Sequence, residues 1–173
     1  MRSILTFTIL FLLISCKETV KQNSDAETLK NTINEGNAAV QVRMEGKTHM
    51  LQQKDLNPIK GIFENDTLQF VFYTNDNPFQ LNLNLNNTDL INKGSATYNI
   101  PEANAMKTKV DLNFFNTERA GKRMNRRIIF RKGTVTIKQL TKNNLQMTFE
   151  GEGGGMMDSG NNFPISGKVN VSY

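Results

Sequence analysis

One cysteine, one histidine and no tryptophan limit the chemistry open to this 173-residue chain. Cys16 is the sole thiol, so no disulfide can form within the chain and no pair of thiolates can hold a metal. With His49 as the only imidazole, a standard structural zinc site cannot be assembled, and no metal site is expected. His49 also lacks anything to activate: no G-x-S-x-G elbow occurs, and a general base needs positioned partners. It reads as an exposed strand residue, and enzymatic activity is not expected. The lack of tryptophan leaves the core to 11 phenylalanines and the aliphatic residues. Lys and Arg number 21 against 16 acids, for a net charge of +5. That excess favours anionic surfaces weakly and falls short of the dense basic face that nucleic-acid binding requires, so no nucleic-acid partner is expected.

Long hydrophobic runs are also scarce, and the one clear run is N-terminal. Arg2 supplies a positive start, Ile4 to Ile14 an apolar stretch, and Ser15 a small residue before Cys16, which is the layout of a secretory signal peptide. The stretch is far shorter than the ~20 residues a membrane-spanning helix needs. Leu13-Ile14-Ser15-Cys16 resembles the lipobox of bacterial lipoproteins. The resemblance implies cleavage before Cys16 and a diacylglycerol and N-acyl lipid on that residue, with no other cofactor. Several acyl chains on one residue anchor firmly, so the chain is expected to sit on a membrane through its lipid without spanning it. Lys17 stands where an Asp would resemble an inner-membrane retention signal. The expected address is therefore the outer membrane, with the periplasmic face and the cell surface both open.

Three segments follow from this pattern: a signal peptide over 1–15, the lipidated Cys16 with a tether and short helix over 16–36, and one β-domain over 37–173. The helix rests on the capping box Ser24-Asp25-Ala26-Glu27, the stripe Leu29 and Ile33, and Gly36 at its end. Beyond Gly36 the hydrophobic period becomes two. Val40, Val42 and Met44 lead into the turn Glu45-Gly46, and Phe79, Leu81, Leu83 and Leu85 alternate with glutamine and asparagine. Similar alternation recurs in "TLQFVFYT", from Met106 to Phe114, from Thr134 to Ile137, from Leu145 to Phe149 and from Ile165 to Val171, with turn chemistry between. The fold expected is mainly β: an antiparallel β-sandwich of about eight to ten strands, with a β-barrel as the alternative. The sandwich is favoured because the inward positions carry large residues, Phe70, Phe72, Phe79, Phe114, Phe130, Phe149 and Phe163.

The segment "ERAGKRMNRRIIFRK" gathers Arg119, Lys122, Arg123, Arg126, Arg127, Arg131 and Lys132 around an expected hairpin loop. Arginine forks suit carboxylate and phosphate, so the cluster is a candidate contact for an acidic envelope protein, an anionic glycan or lipid head groups. A solvated loop whose charges blunt an edge strand is the favoured reading, because charge clustering alone identifies no partner. "EGEGGGMMDSGNNFP" places Glu150, Glu152 and Asp158 in what reads as a mobile loop of about ten residues, without an EF-hand ladder.

Lipobox, asparagine-rich composition and small β-domain together resemble the small lipoproteins of Bacteroidota. In that lineage Asp66-Thr67-Leu68 would fit an O-glycosylation acceptor pattern at Thr67. The resemblance implies a membrane-anchored, non-enzymatic envelope lipoprotein serving as a binding or assembly module. A lipocalin-like binder of a small apolar ligand and an inhibitor or immunity-type lipoprotein are the alternatives.

Overall fold

A computed structural model describes residues 38–59, 62–64, 67–86, 88–103, 107–115, 124–158 and 160–173, with side chains excepted at 62–64. The signal segment, Cys16, the tether, the helix expected over 24–36 and Arg119, Lys122 and Arg123 lie outside the described residues.

Among the described residues ten strands follow in chain order: β1 (Ala38–Met44), β2 (Lys47–Gln52), β3 (Ile62–Glu64), β4 (Thr67–Tyr73), β5 (Phe79–Asn86), β6 (Ala96–Ile100), β7 (Thr108–Phe115), β8 (Met124–Leu140), β9 (Asn144–Gly155) and β10 (Phe163–Ser172). All belong to one antiparallel sheet in the order β2-β1-β10-β9-β8-β7-β5-β4-β3, with β6 beside the second half of β8. The described residues are thus mainly β, with almost no helix among them. The two packed sheets of a sandwich are replaced by a single sheet curled in the manner of half a barrel.

Alternation decides which side is the inside. Val40, Val42, Leu68, Phe70, Phe72, Phe79, Leu81, Leu83, Leu85, Val110, Leu112, Val169 and Val171 are all buried and share the concave face. Burying each such side chain contributes about 1.5–3 kcal/mol, so this face dominates the stability of the domain. The concave side closes on itself. Tyr173 at the end of β10 meets Phe70 of β4 at 5.6 Å between ring centroids, and Asn57 after β2 donates its backbone N–H to the Tyr73 carbonyl at 3.0 Å.

Curvature is concentrated in the two longest strands. β8 pairs with β7 along its first half and with β6 along its second, while β9 follows both halves, so β8 must bend between them. The register shifts between Phe130 and Lys132, and Gly133 faces Gly151 across the ladder just beyond. A Cβ on Gly133 would collide with the Glu150 carbonyl oxygen and the Gly151 Cα, and φ at Gly133 is +136°, which side-chain-bearing residues rarely adopt. Glycine at both positions lets the backbones touch and the sheet turn its corner. A second shift, between Ile137 and Gln139, re-phases the strand so that Leu140 points inward after Val135 and Ile137.

Two further features have local causes. The glycine run belongs to β9 as far as Gly155, so the expected ten-residue loop shrinks to the turn that follows Met156. Gly153 has no room for a side chain against Ile129 and Ile165, which explains its glycine without invoking mobility. The Lys93-Gly94 turn is a short helix, α1 (Leu90–Lys93), closed by left-handed Gly94 and pinned by buried Leu90.

Gly133→Ala should destabilise the domain by about 3 kcal/mol in urea unfolding, because the Cβ meets fixed backbone at a strained φ. Gly46→Ala, in an equally left-handed turn that opens onto solvent, should cost only about 1 kcal/mol.

Candidate functional site

The described part of the basic segment, Met124 to Lys132, is the first half of β8, which pairs with β7 as the expected hairpin, and the connection over 116–123 lies outside the described residues. Strand alternation splits its arginines between the two faces. Arg126 follows the parity of inward Ile128 and Phe130, at the rim of the curled sheet, while Arg127 and Arg131 point to the convex side.

At the rim, Arg126 donates from Nη1 to Glu45 Oε2 at 2.6 Å and from Nη2 to Glu45 Oε1 at 2.8 Å. The same guanidinium lies 5.5 Å from the Phe163 ring centroid. This two-pronged bond ties β8 to the β1–β2 turn across the mouth of the half-barrel, and its hydrogen bonds hold the Glu45 carboxyl below its ordinary pKa.

On the convex side Arg127 Nη2 donates to Asp111 Oδ2 at 2.6 Å, and Lys109 Nζ lies 3.5 Å from the same oxygen. The Asp111 side chain is only 2% exposed. Asp111 Oδ1, Asn113 Oδ1 and Arg127 Nε are buried and make no hydrogen bond, so the pair is desolvated and incompletely satisfied.

Arg131 acts on the turn between β9 and β10. Its Nη1 donates to the Asp158 carbonyl and to Asn162 Oδ1, both at 2.9 Å, and its Nη2 to the Gly155 carbonyl at 2.7 Å. Asn161 Nδ2 donates to both carboxylate oxygens of Asp158, and the Met156 N–H bonds the Arg127 carbonyl at 2.8 Å. These bonds tie Gly155, Asp158 and Asn162 to β8, and Met157 between them is exposed.

Of the seven basic residues singled out in the sequence, Arg126, Arg127 and Arg131 are engaged within the protein, and Lys132 is exposed opposite Glu152 in the β8–β9 register. Glu45 and Asp111 were missed as partners. The signals were there: Glu45 heads a tight turn, and Asp111 sits at an outward position of an alternating strand. Glu150 and Glu152 sit on β9 with Asp158 in the turn beyond, and among the described residues no group of three or more His, Cys, Asp or Glu could hold a metal ion.

His49 is not the exposed residue expected. It is half-buried, stacked on Phe79 at 5.3 Å and edge-on to Phe114 at 5.1 Å. Burial, assisted by the Lys47 ammonium, lowers the imidazole pKa.

These features define a mainly β domain with an ion-paired rim, a desolvated Asp–Arg pair on its convex face and a clamped methionine turn. No family model, no curated protein and no solved structure matches the chain.

Two outcomes follow. The folded state disfavours the imidazolium, so the unfolded chain binds more protons just below about pH 6.5, and stability should fall as pH drops through that value. Because the chain has one histidine, its imidazole NMR signals report this directly. They should titrate below the free value, and His49→Gln should flatten the dependence of Tm on pH between about 7 and 5. Secondly, Arg127→Met should destabilise by about 2 kcal/mol, since it leaves the buried Asp111 carboxylate with only the Lys109 ammonium at 3.5 Å. The double variant Asp111→Leu with Arg127→Met should recover most of that loss in the same unfolding assay.

Proposed function

We propose that the chain is a lipid-anchored envelope lipoprotein whose β-domain is a non-enzymatic binding or assembly module, carried at the outer membrane by acyl chains on Cys16. The observation that supports this reading is the signal layout ending in Leu13-Ile14-Ser15-Cys16, followed by a polar stretch and then strand β1 from Ala38. The tether gives the domain reach, and the anchor keeps it near its partner at high effective concentration, so a modest contact surface suffices.

A binder of a small apolar ligand is the second reading, favoured by the curl of the single sheet, since ligand-holding barrels are built that way. Against it, the concave positions carry Phe70, Phe72, Phe79, Phe130 and Phe149 at 4% exposure or less. Side chains that fill the interior leave the outer surface as the place for contact. The net charge of +5 draws an acidic protein, an anionic glycan or lipid head groups towards that surface.

Cys16→Ser should abolish fatty-acid labelling and shift the protein from the membrane to the soluble fraction. Retention of the variant in the membrane with the segment uncleaved would overturn the anchor.

A further inference from the structure

The chain carries eight methionines, and the fold sorts them by depth. Met44 is 2% exposed and Met147 1%, both within the concave core. Met50 is half-buried, and Met1 and Met106 lie outside the described residues. Met124 and Met156 are 46% exposed and Met157 is 91% exposed, and the three border one groove of about 320 Å³. Met157 stands in a turn that is hydrogen-bonded on both sides of it. Arg131 holds the Gly155 and Asp158 carbonyls, and the Asp158 N–H bonds the Gly155 carbonyl at 3.0 Å. A side chain left so far in solvent adds almost no burial to the fold, so what it brings is its chemistry.

That chemistry is oxidation. Cys16 apart, the thioethers are the side chains of this chain that a peroxide attacks. The sulfur lone pair takes one peroxide oxygen as the O–O bond breaks. Sulfur loses two electrons; the second oxygen gains them, collects the transferred proton and leaves as water, and the thioether becomes a sulfoxide. Depth decides where this happens. Oxidant reaches Met44 and Met147 only when the sheet opens, and the open population is small for core strands. Depth also decides the consequence. A sulfoxide oxygen in the core would be a buried polar group without a partner, whereas at Met157 water solvates it and an apolar side chain becomes a polar one at no cost to packing.

From this we infer that Met157 is a methionine-sulfoxide modification site, converted first in the folded protein by an oxidant of the peroxide class, with Met124 and Met156 following and the fold left intact.

A time course of the full-length protein in dilute hydrogen peroxide, quenched with free methionine and read by peptide fragment mass spectrometry, tests it. Oxygen should be gained fastest at Met157, about twofold more slowly at Met124 and Met156, and at least about tenfold more slowly at Met44 and Met147. In urea the five rates should converge, because unfolding removes the difference in depth. Protein converted at Met157 alone should keep its thermal unfolding midpoint. Met157→Leu, which keeps the volume, should remove the fastest phase and leave the rates at Met124 and Met156 as they were. Met157 reacting no faster than Met156, or Met44 or Met147 reacting as fast as Met157 in the folded protein, overturns the proposal. So does a lowered unfolding midpoint on conversion of Met157, or a set of rates that stays apart in urea, which would trace the order to local sequence and not to the fold.

Discussion

The close approach of β8 and β9 at Gly133 and Gly151 sets the shape on which everything else depends. Without a side chain at either position the two backbones meet, β8 bends, and one strand can serve β7 along its first half and β6 along its second. The bend brings β10 and β4 to opposite sides of a shared interior, where Tyr173 reaches Phe70. Phe149 lies over Gly167 on that concave side, in space a Cβ would occupy, so a third glycine is filled by a neighbouring ring. The glycines that look like loop chemistry in the sequence are instead the corners of a sheet.

Ionic contacts divide by location and hence by energy. The Arg126–Glu45 pair is 45% and 40% exposed, so water screens it and it contributes little beyond holding the rim in register. Arg127–Asp111 is desolvated, with one carboxylate oxygen unpaired, and its removal in halves costs far more than its removal whole. The first pair shapes a surface, and the second locks β7 to β8 beneath it. His49 belongs with the second kind. Its ring fills apolar space between Phe79 and Phe114, and the burial that places it there also disfavours its charged form.

The alternating strands were plain in the sequence, because period two survives intact along Phe79–Asn86 and Thr67–Tyr73 and from Val40 onward in Ala38–Met44. β8 was not. Two register shifts invert the parity within 17 residues, so its inward set, Ile128, Phe130, Val135, Ile137 and Leu140, matches no single periodicity. The short strand Ala96–Ile100 escaped notice because only alternate, partly buried residues face the core. The single sheet was hidden for a related reason: large inward residues suit a sandwich and a tightly curled sheet alike, and the deciding feature was a pair of glycines far apart in the chain. The candidate site was half legible. The arginines stood out as a type and Glu45 and Asp111 by their positions, but which arginine meets which acid or carbonyl is fixed by register between strands.

That pairing changes what the basic segment can do. A net charge of +5 draws anions from a distance whether or not each cation is paired, since steering depends on the summed field. Close-range recognition is different. The Arg126 fork is already occupied by a carboxylate, and the Arg131 fork by carbonyl and amide oxygens. An incoming acid would have to displace bonds already made and would gain similar ones in return, so exchange at these forks yields almost no net affinity, and the summed charge acts at long range rather than by close contact.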